Sequence, residues 1–182
     1  MLFLLLAGMS CGDENYKYSS YHCNLSIDNS THLDQTLNSA LNAMSPGVFC
    51  KISYMISNGA TYFVFANNQG ANSKTIFNAI DQRLQSQNHI GLNNGLIIGY
   101  GNLNDPAEFY AYDAECPNCF SPNTFPIKSY PLSISNNGLA TCNHCKRQYN
   151  MNTGGNCTNN TGNGLTAYRA YTTGANGKLY VN

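Results

Sequence analysis

A mainly β fold with an N-terminal α+β portion containing one helix is what this chain predicts, and three observations carry it. Tyr and Phe are abundant (13 and 8 residues) while Trp is absent, and these aromatics alternate with small polar residues as half-buried strands require. Short apolar runs are divided by Asn-Gly and related turn pairs, the signal of successive hairpins. One stretch, residues 33–44, sustains the spacing of an amphipathic helix.

Taken in order, residues 21–27 alternate and place Cys23, Leu25 and Ile27 on one face of a strand. Asp28-Asn29-Ser30-Thr31 then gives a turn and an N-cap signal, since short polar side chains accept from the free N–H groups of a first helical turn. Leu33, Leu37, Leu41 and Met44, with Ala40 and Ala43 beside them, form the helix's apolar stripe, and Ser45-Pro46-Gly47 ends it. Val48–Ile56 and Ala60–Ala66 are strands joined through Ser57-Asn58-Gly59. Residues 67–75 read as a polar loop, and Ile76, Phe77, Ile80 and Leu84 as one short helix. Leu96–Tyr100 is a compact apolar strand. The rest reads as β: Glu108–Asp113, Leu132–Ser135, Leu139–Thr141, then Leu165–Thr172 and Lys178–Val181. The Asn/Gly-rich segment 151–164 reads as a long surface loop.

The chain has 182 residues, enough to bury a real core. Nine basic and nine acidic residues balance, so no electrostatic footprint for nucleic acid is present. The first eleven residues, MLFLLLAGMSC, hold an apolar run too short to span a bilayer but of the length found in signal peptides. Gly8 and Ser10 before Cys11 resemble a bacterial lipobox, although no Lys or Arg precedes the run. The expectation is a signal segment over 1–11 with Cys11 lipidated, a solvated tether over 12–20, and one globular domain over 21–182. Such a protein is exported to the cell envelope and anchored there in the membrane.

Two CxxC pairs, Cys116-Pro-Asn-Cys119 and Cys142-Asn-His-Cys145, lie 22 residues apart. Thiolates two residues apart can reach one tetrahedral ion, and the second pair completes it, as in zinc-ribbon-type and rubredoxin-like knuckles. Cys116, Cys119, Cys142 and Cys145 are therefore the candidate metal ligands. Cys23, Cys50 and Cys157 are left over, and one disulfide plus one buried thiol is the simplest expectation for an exported chain.

The order of parts around these pairs resembles a Rieske domain. In "EFYAYDAECPNC" a strand ends in a knuckle, and "NNGLATCNHCKRQYNMNTGGNC" delivers the second from a hairpin strand. Tyr149, Thr153-Gly154, "GLTAYRAY" and a closing "KLYV" hairpin follow. The resemblance covers residues 90–182 and implies a β-sandwich sealed beneath the site by the Thr-Gly turn and the last hairpin. It departs at the ligands. A Rieske cluster has two cysteines on one iron and two histidines on the other. Cys116 and Cys142 match the cysteines, Asn118 stands at the first histidine position, Cys145 at the second, and Cys119 is an added thiol. His144 falls one place early and is expected to face solvent.

Three readings of the four thiols follow. One metal ion could sit among them, zinc suiting a closed structural site best and iron making a rubredoxin-like carrier. An all-cysteine [2Fe–2S] cluster would work at a low potential, about −400 mV. Disulfides without metal would simply join the two loops. The leading expectation is a non-enzymatic binding module with a structural zinc, and the alternative is an electron-transfer protein carrying iron or [2Fe–2S].

No catalytic residue is assigned. There is no G-x-S-x-G element, and both CxxC pairs follow strands, whereas a thioredoxin-like pair precedes a helix. Asp113 and Glu115 share a strand face and read as edge charges. Lys146 and Arg147 could offset the charge of a four-thiolate site. His22, His32 and His89 show no ligand spacing.

Overall fold

The computed structural model describes residues 17–182; the expected signal segment, with Cys11, lies outside the described residues. The first elements are β1 (Leu25–Asp28), α1 (Asn29–His32), α2 (Gln35–Leu41), β2 (Phe49–Ser57), β3 (Ala60–Asn67), β4 (Asn72–Ile76) and α3 (Ala79–Leu84). Then come β5 (Leu96–Tyr100), β6 (Phe109–Asp113), β7 (Leu132–Ile134), β8 (Leu139–Cys142), β9 (Gln148–Asn150) and β10 (Asn156–Cys157). β11 (Ala167–Tyr168), β12 (Ala170–Thr172) and β13 (Lys178–Val181) close the chain. The protein is mostly β, as the sequence predicts, with short helices near its N-terminus.

A six-stranded antiparallel sheet, β11-β6-β5-β2-β3-β4, runs through the middle. Side-chain alternation sends Cys50, Ile52, Leu96, Ile98 and Ala111 to one face, where they pack with Leu25, Ile27, Leu37, Leu41, Leu179 and Val181. Phe49, Ile97, Tyr110 and Tyr112 point the other way and pack with Ala140, Tyr149 and Met151. Both faces are covered, which is why β5 is an unbroken apolar run and not an alternating one. On the first face lie the helices and the sheet β1-β13-β12; on the second lies the sheet β10-β9-β8-β7. Strands from either side of residue 90 meet directly where Cys50 opposes Ile98.

Several elements differ from expectation, each for a local reason. Leu33 takes a left-handed conformation (φ 53°) between two helices, so the expected stripe breaks there, and Leu33 and Met44 are exposed. Asp34 is the working cap of α2: its side chain accepts from Leu37 N–H at 3.0 Å. The expected loop 67–75 gives way at Asn72 to β4, an edge strand that runs on to Ile76 and whose Ser73 and Thr75 hydroxyls donate to Asp34 at 2.8 and 3.1 Å. An edge strand that buries no apolar side chain has no apolar alternation to read.

The short helix starts later than Ile76, because Asn78 and Asp81 form a reciprocal capping box at its first turn. The expected strand Leu165–Thr172 is two strands: β11 pairs with β6, and after Arg169 β12 pairs with β13 in another sheet. The segment 151–164 is only partly loop, since Met151 and Asn152 are buried in a 3₁₀ turn and β10 pairs with β9. Within the expected tether, Ser19 N–H donates to Ala167 O at 2.8 Å, so its described end packs on the body.

Candidate metal centre

Both knuckles are made by strand ends. β6 continues through Ala114, whose carbonyl accepts from Leu132 N–H at 2.8 Å, into Cys116, whose N–H donates to Tyr130 O at 3.0 Å. The chain then turns within the CxxC: Cys119 and Phe120 N–H both donate to Cys116 O, at 3.1 and 2.9 Å. The second knuckle closes the β8–β9 hairpin. Cys142 N–H donates to Arg147 O at 3.0 Å and Lys146 N–H to Cys142 O at 2.9 Å, with Lys146 in the left-handed region (φ 61°).

These two turns bring the four candidate sulfurs together. All lie within 4.8 Å of one another. Cys116 Sγ is 3.7 Å from Cys145 Sγ, and Cys142 Sγ is 3.9 Å from Cys119 Sγ. Zinc–sulfur bonds of 2.3 Å in a tetrahedron place sulfurs about 3.8 Å apart, so the set fits a single ion. A disulfide needs sulfurs about 2.05 Å apart. A [2Fe–2S] cluster divides its thiolates between two irons, which spreads the pairs by a metal–metal separation and fits this compact set less well. Cys116 and Cys142 are buried, while Cys119 and Cys145 are half-buried.

Around the thiols the protein supplies donors. Tyr149, fully buried at the base, has its hydroxyl 3.3 Å from Cys116 Sγ and accepts from Asn118 Nδ2 at 2.9 Å. Asn118, at the first histidine position of the Rieske pattern, is thus a clamp. It also donates to Asn163 O at 2.9 Å and accepts from Asn163 N–H at 3.0 Å, fastening the knuckle to the segment before β11. Gly162 must be glycine here (φ 146°), since a Cβ would meet Asn118 Oδ1 at 2.6 Å. His144 is exposed, yet its Nδ1 lies 3.7 Å from Cys119 Sγ and its ring packs edge-on against Tyr130.

Electrostatics differ between the thiols. Burial pushes Cys116 and Cys119 above the ordinary range, and neighbouring thiols add to the rise at Cys119. At Cys145 desolvation also raises the value, but hydrogen bonding from the Arg147 backbone and side chain overrides it and brings the thiol down to about 6. Arg147 is the cation in contact with the site, reciprocally raised by Cys145, while its Nε donates to Thr161 O at 3.0 Å.

Asp113 and Glu115 are not edge charges. Both are buried beneath the first knuckle. Asp113 accepts from the N–H groups of Leu92 and Glu115 at 2.6 and 2.8 Å and from Tyr168 Oη at 2.9 Å. Glu115 accepts from Asn93 Nδ2 at 2.7 Å, Ser129 Oγ and Tyr130 N–H. Two carboxylates so used hold the loops that flank the knuckle. Lys51, its amine pulled down by burial and partly supported by Glu115, donates to Leu132 O at 3.3 Å.

The seven described cysteines are free. Cys23 and Cys50 sit in the core on the helix-bearing face, whereas Cys157 packs on the knuckle side. The expected single disulfide among these three is thus not formed. His22 and His89 stack edge-on at 5.1 Å, and His32 is buried against Asp81 at 3.0 Å. Tyr149 and Arg147 were visible in the sequence as neighbours of the knuckle. Their contact with sulfur was not, because it depends on how β9 passes beneath the site. No family model matches this chain, and no curated protein or solved structure matches it either.

Proposed function

We propose that this is an exported, lipid-anchored metal-binding protein, in which Cys116, Cys119, Cys142 and Cys145 hold a structural zinc ion within a Rieske-like scaffold. In this reading the protein is a non-enzymatic binding module. The observation that carries the metal reading is the convergence of four sulfurs, from two separate strand ends, within 4.8 Å. A bound ion would join the β6 end to the β8–β9 hairpin and add folding energy to the small sheet β10-β9-β8-β7. The order of knuckles, the buried Tyr149, the Thr153-Gly154 turn and the closing hairpin support the Rieske-like scaffold.

A second reading keeps the same cage with iron in it, as a rubredoxin-like electron carrier. What favours it is the half-buried position of Cys119 and Cys145, through which an electron could pass, with donors from Tyr149 and Arg147 near sulfur to tune the potential.

Elemental analysis with an absorption spectrum, on protein purified anaerobically without added metal, separates the two. About one zinc per chain and no visible band is the expected result. Iron with thiolate charge-transfer bands would replace zinc by the second reading. Neither metal, with free thiols in the native protein, would sink both.

A further inference from the structure

Residues 17–21 pack on the body, and this limits where an anchored molecule could stand. Lys17 Nζ pairs with Glu108 Oε1 at 2.6 Å. The Tyr18 ring has Lys17 at 5.6 Å and the Arg169 guanidinium at 4.8 Å. Ser19 N–H reaches Ala167 O at 2.8 Å, on the edge of β11 that β6 leaves free. Between Cys11 and Lys17 there are six peptide steps, which span at most about 20 Å when fully extended. The opposite edge of the same sheet, β4, lies five strand spacings from β11, about 24 Å away. A chain anchored at Cys11 is therefore held by its β11 edge on a short lead.

The first knuckle belongs to that edge. A groove of about 400 Å³ is lined by Tyr18 and Tyr21 of the strap and by Pro117, Phe120 and Pro122 of the first knuckle and the loop after it. Three residues beyond Pro122 the loop reaches Phe125, which is 99% exposed, followed by Ile127 at 57% and an exposed Lys128. A bare Phe and Ile beside a Lys suit a lipid interface. The aromatic ring enters the headgroup boundary and the ammonium meets lipid phosphate.

We infer that the face formed by the strap Lys17–Tyr21 and the Phe125–Lys128 loop rests on the lipid surface, which places the four-thiol centre at the membrane end of the molecule. This rests on the lipid-anchor reading above, and the test separates the two. The chain contains no Trp, so one introduced Trp reports its own surroundings. Phe125→Trp and Ile76→Trp change exposed side chains, the latter on the β4 edge.

Each acylated full chain would be reconstituted into phosphatidylethanolamine–phosphatidylglycerol vesicles carrying bromine high on the acyl chains. The Phe125→Trp emission should shift to the blue and fall about two-fold, with Ile76→Trp unchanged. Equal emission from both variants, or stronger quenching at Ile76→Trp, overturns the orientation. Mass spectrometry of the same samples reads the modification. A diacylglyceryl group on Cys11 without quenching sinks the orientation alone, whereas its absence sinks the anchor reading and the orientation with it.

Discussion

Lys146 holds a left-handed backbone (φ 61°) directly after the second knuckle. The fold needs that conformation because Lys146 N–H must turn back to Cys142 O while its own carbonyl accepts from Asn159 Nδ2 at 2.9 Å. A residue with a Cβ pays about 1 kcal/mol there, and the side chain is exposed. Lys146→Gly keeps both hydrogen bonds, since they are made by the backbone. The expected result is a gain of about 1 kcal/mol in chemical denaturation of the metal-loaded protein; an unchanged or lower midpoint would show that the lysine side chain contributes more than its conformation costs. Asn118 makes the complementary point. Its amide does not replace a histidine ligand; it commits both N–H donors and its oxygen to Tyr149 and Asn163.

The end of β6 is where element-scale stability concentrates. Asp113 is fully buried and holds three donors from three different segments: the 90–95 loop, the first knuckle and β11. Desolvation raises its pKa and the three hydrogen bonds oppose that rise. Removing the carboxylate leaves Leu92 N–H, Glu115 N–H and the Tyr168 hydroxyl without partners. Asp113→Ala should therefore cost about 3 kcal/mol, measured by denaturant unfolding with metal bound. A loss below about 0.5 kcal/mol would mean that water replaces the carboxylate freely. Sequence could place Asp113 and Glu115 on one strand face. It could not show that the face turns inward, because that depends on loops remote in the chain closing over it.

For the whole molecule, metal uptake and proton release are coupled. Thiolates bind the ion, and Cys116 and Cys119 are raised above the ordinary thiol value, so they carry protons at neutral pH. Zinc uptake near pH 7.5 should release at least these two, and affinity should rise with pH. Cys145, brought down to about 6, is already ionised there and adds no proton. As pH falls through about 6 it becomes protonated, and affinity should fall more steeply with each further step in acidity. Competition titration against a chromophoric chelator between about pH 7.5 and 5.5 reads both slopes; a flat response would show that the thiols are not the ligands.

Local chemistry was enough to place most strands, because alternation and Asn-Gly turns act between residues close in the chain. The CxxC spacing likewise named the four thiols, since each pair is joined through a single turn. Tertiary structure alone decided the rest. It brought the two pairs within one ion's reach, and it turned Asp113 and Glu115 from expected surface charges into buried anchors. It made a strand of residues 72–76, four of them polar, by pairing them with β3. It split Leu165–Thr172 between two sheets, and it laid the end of the expected tether along β11. Each of these outcomes depends on a hydrogen bond or an apolar face supplied by a segment distant in sequence, and no pattern along one segment records its partner.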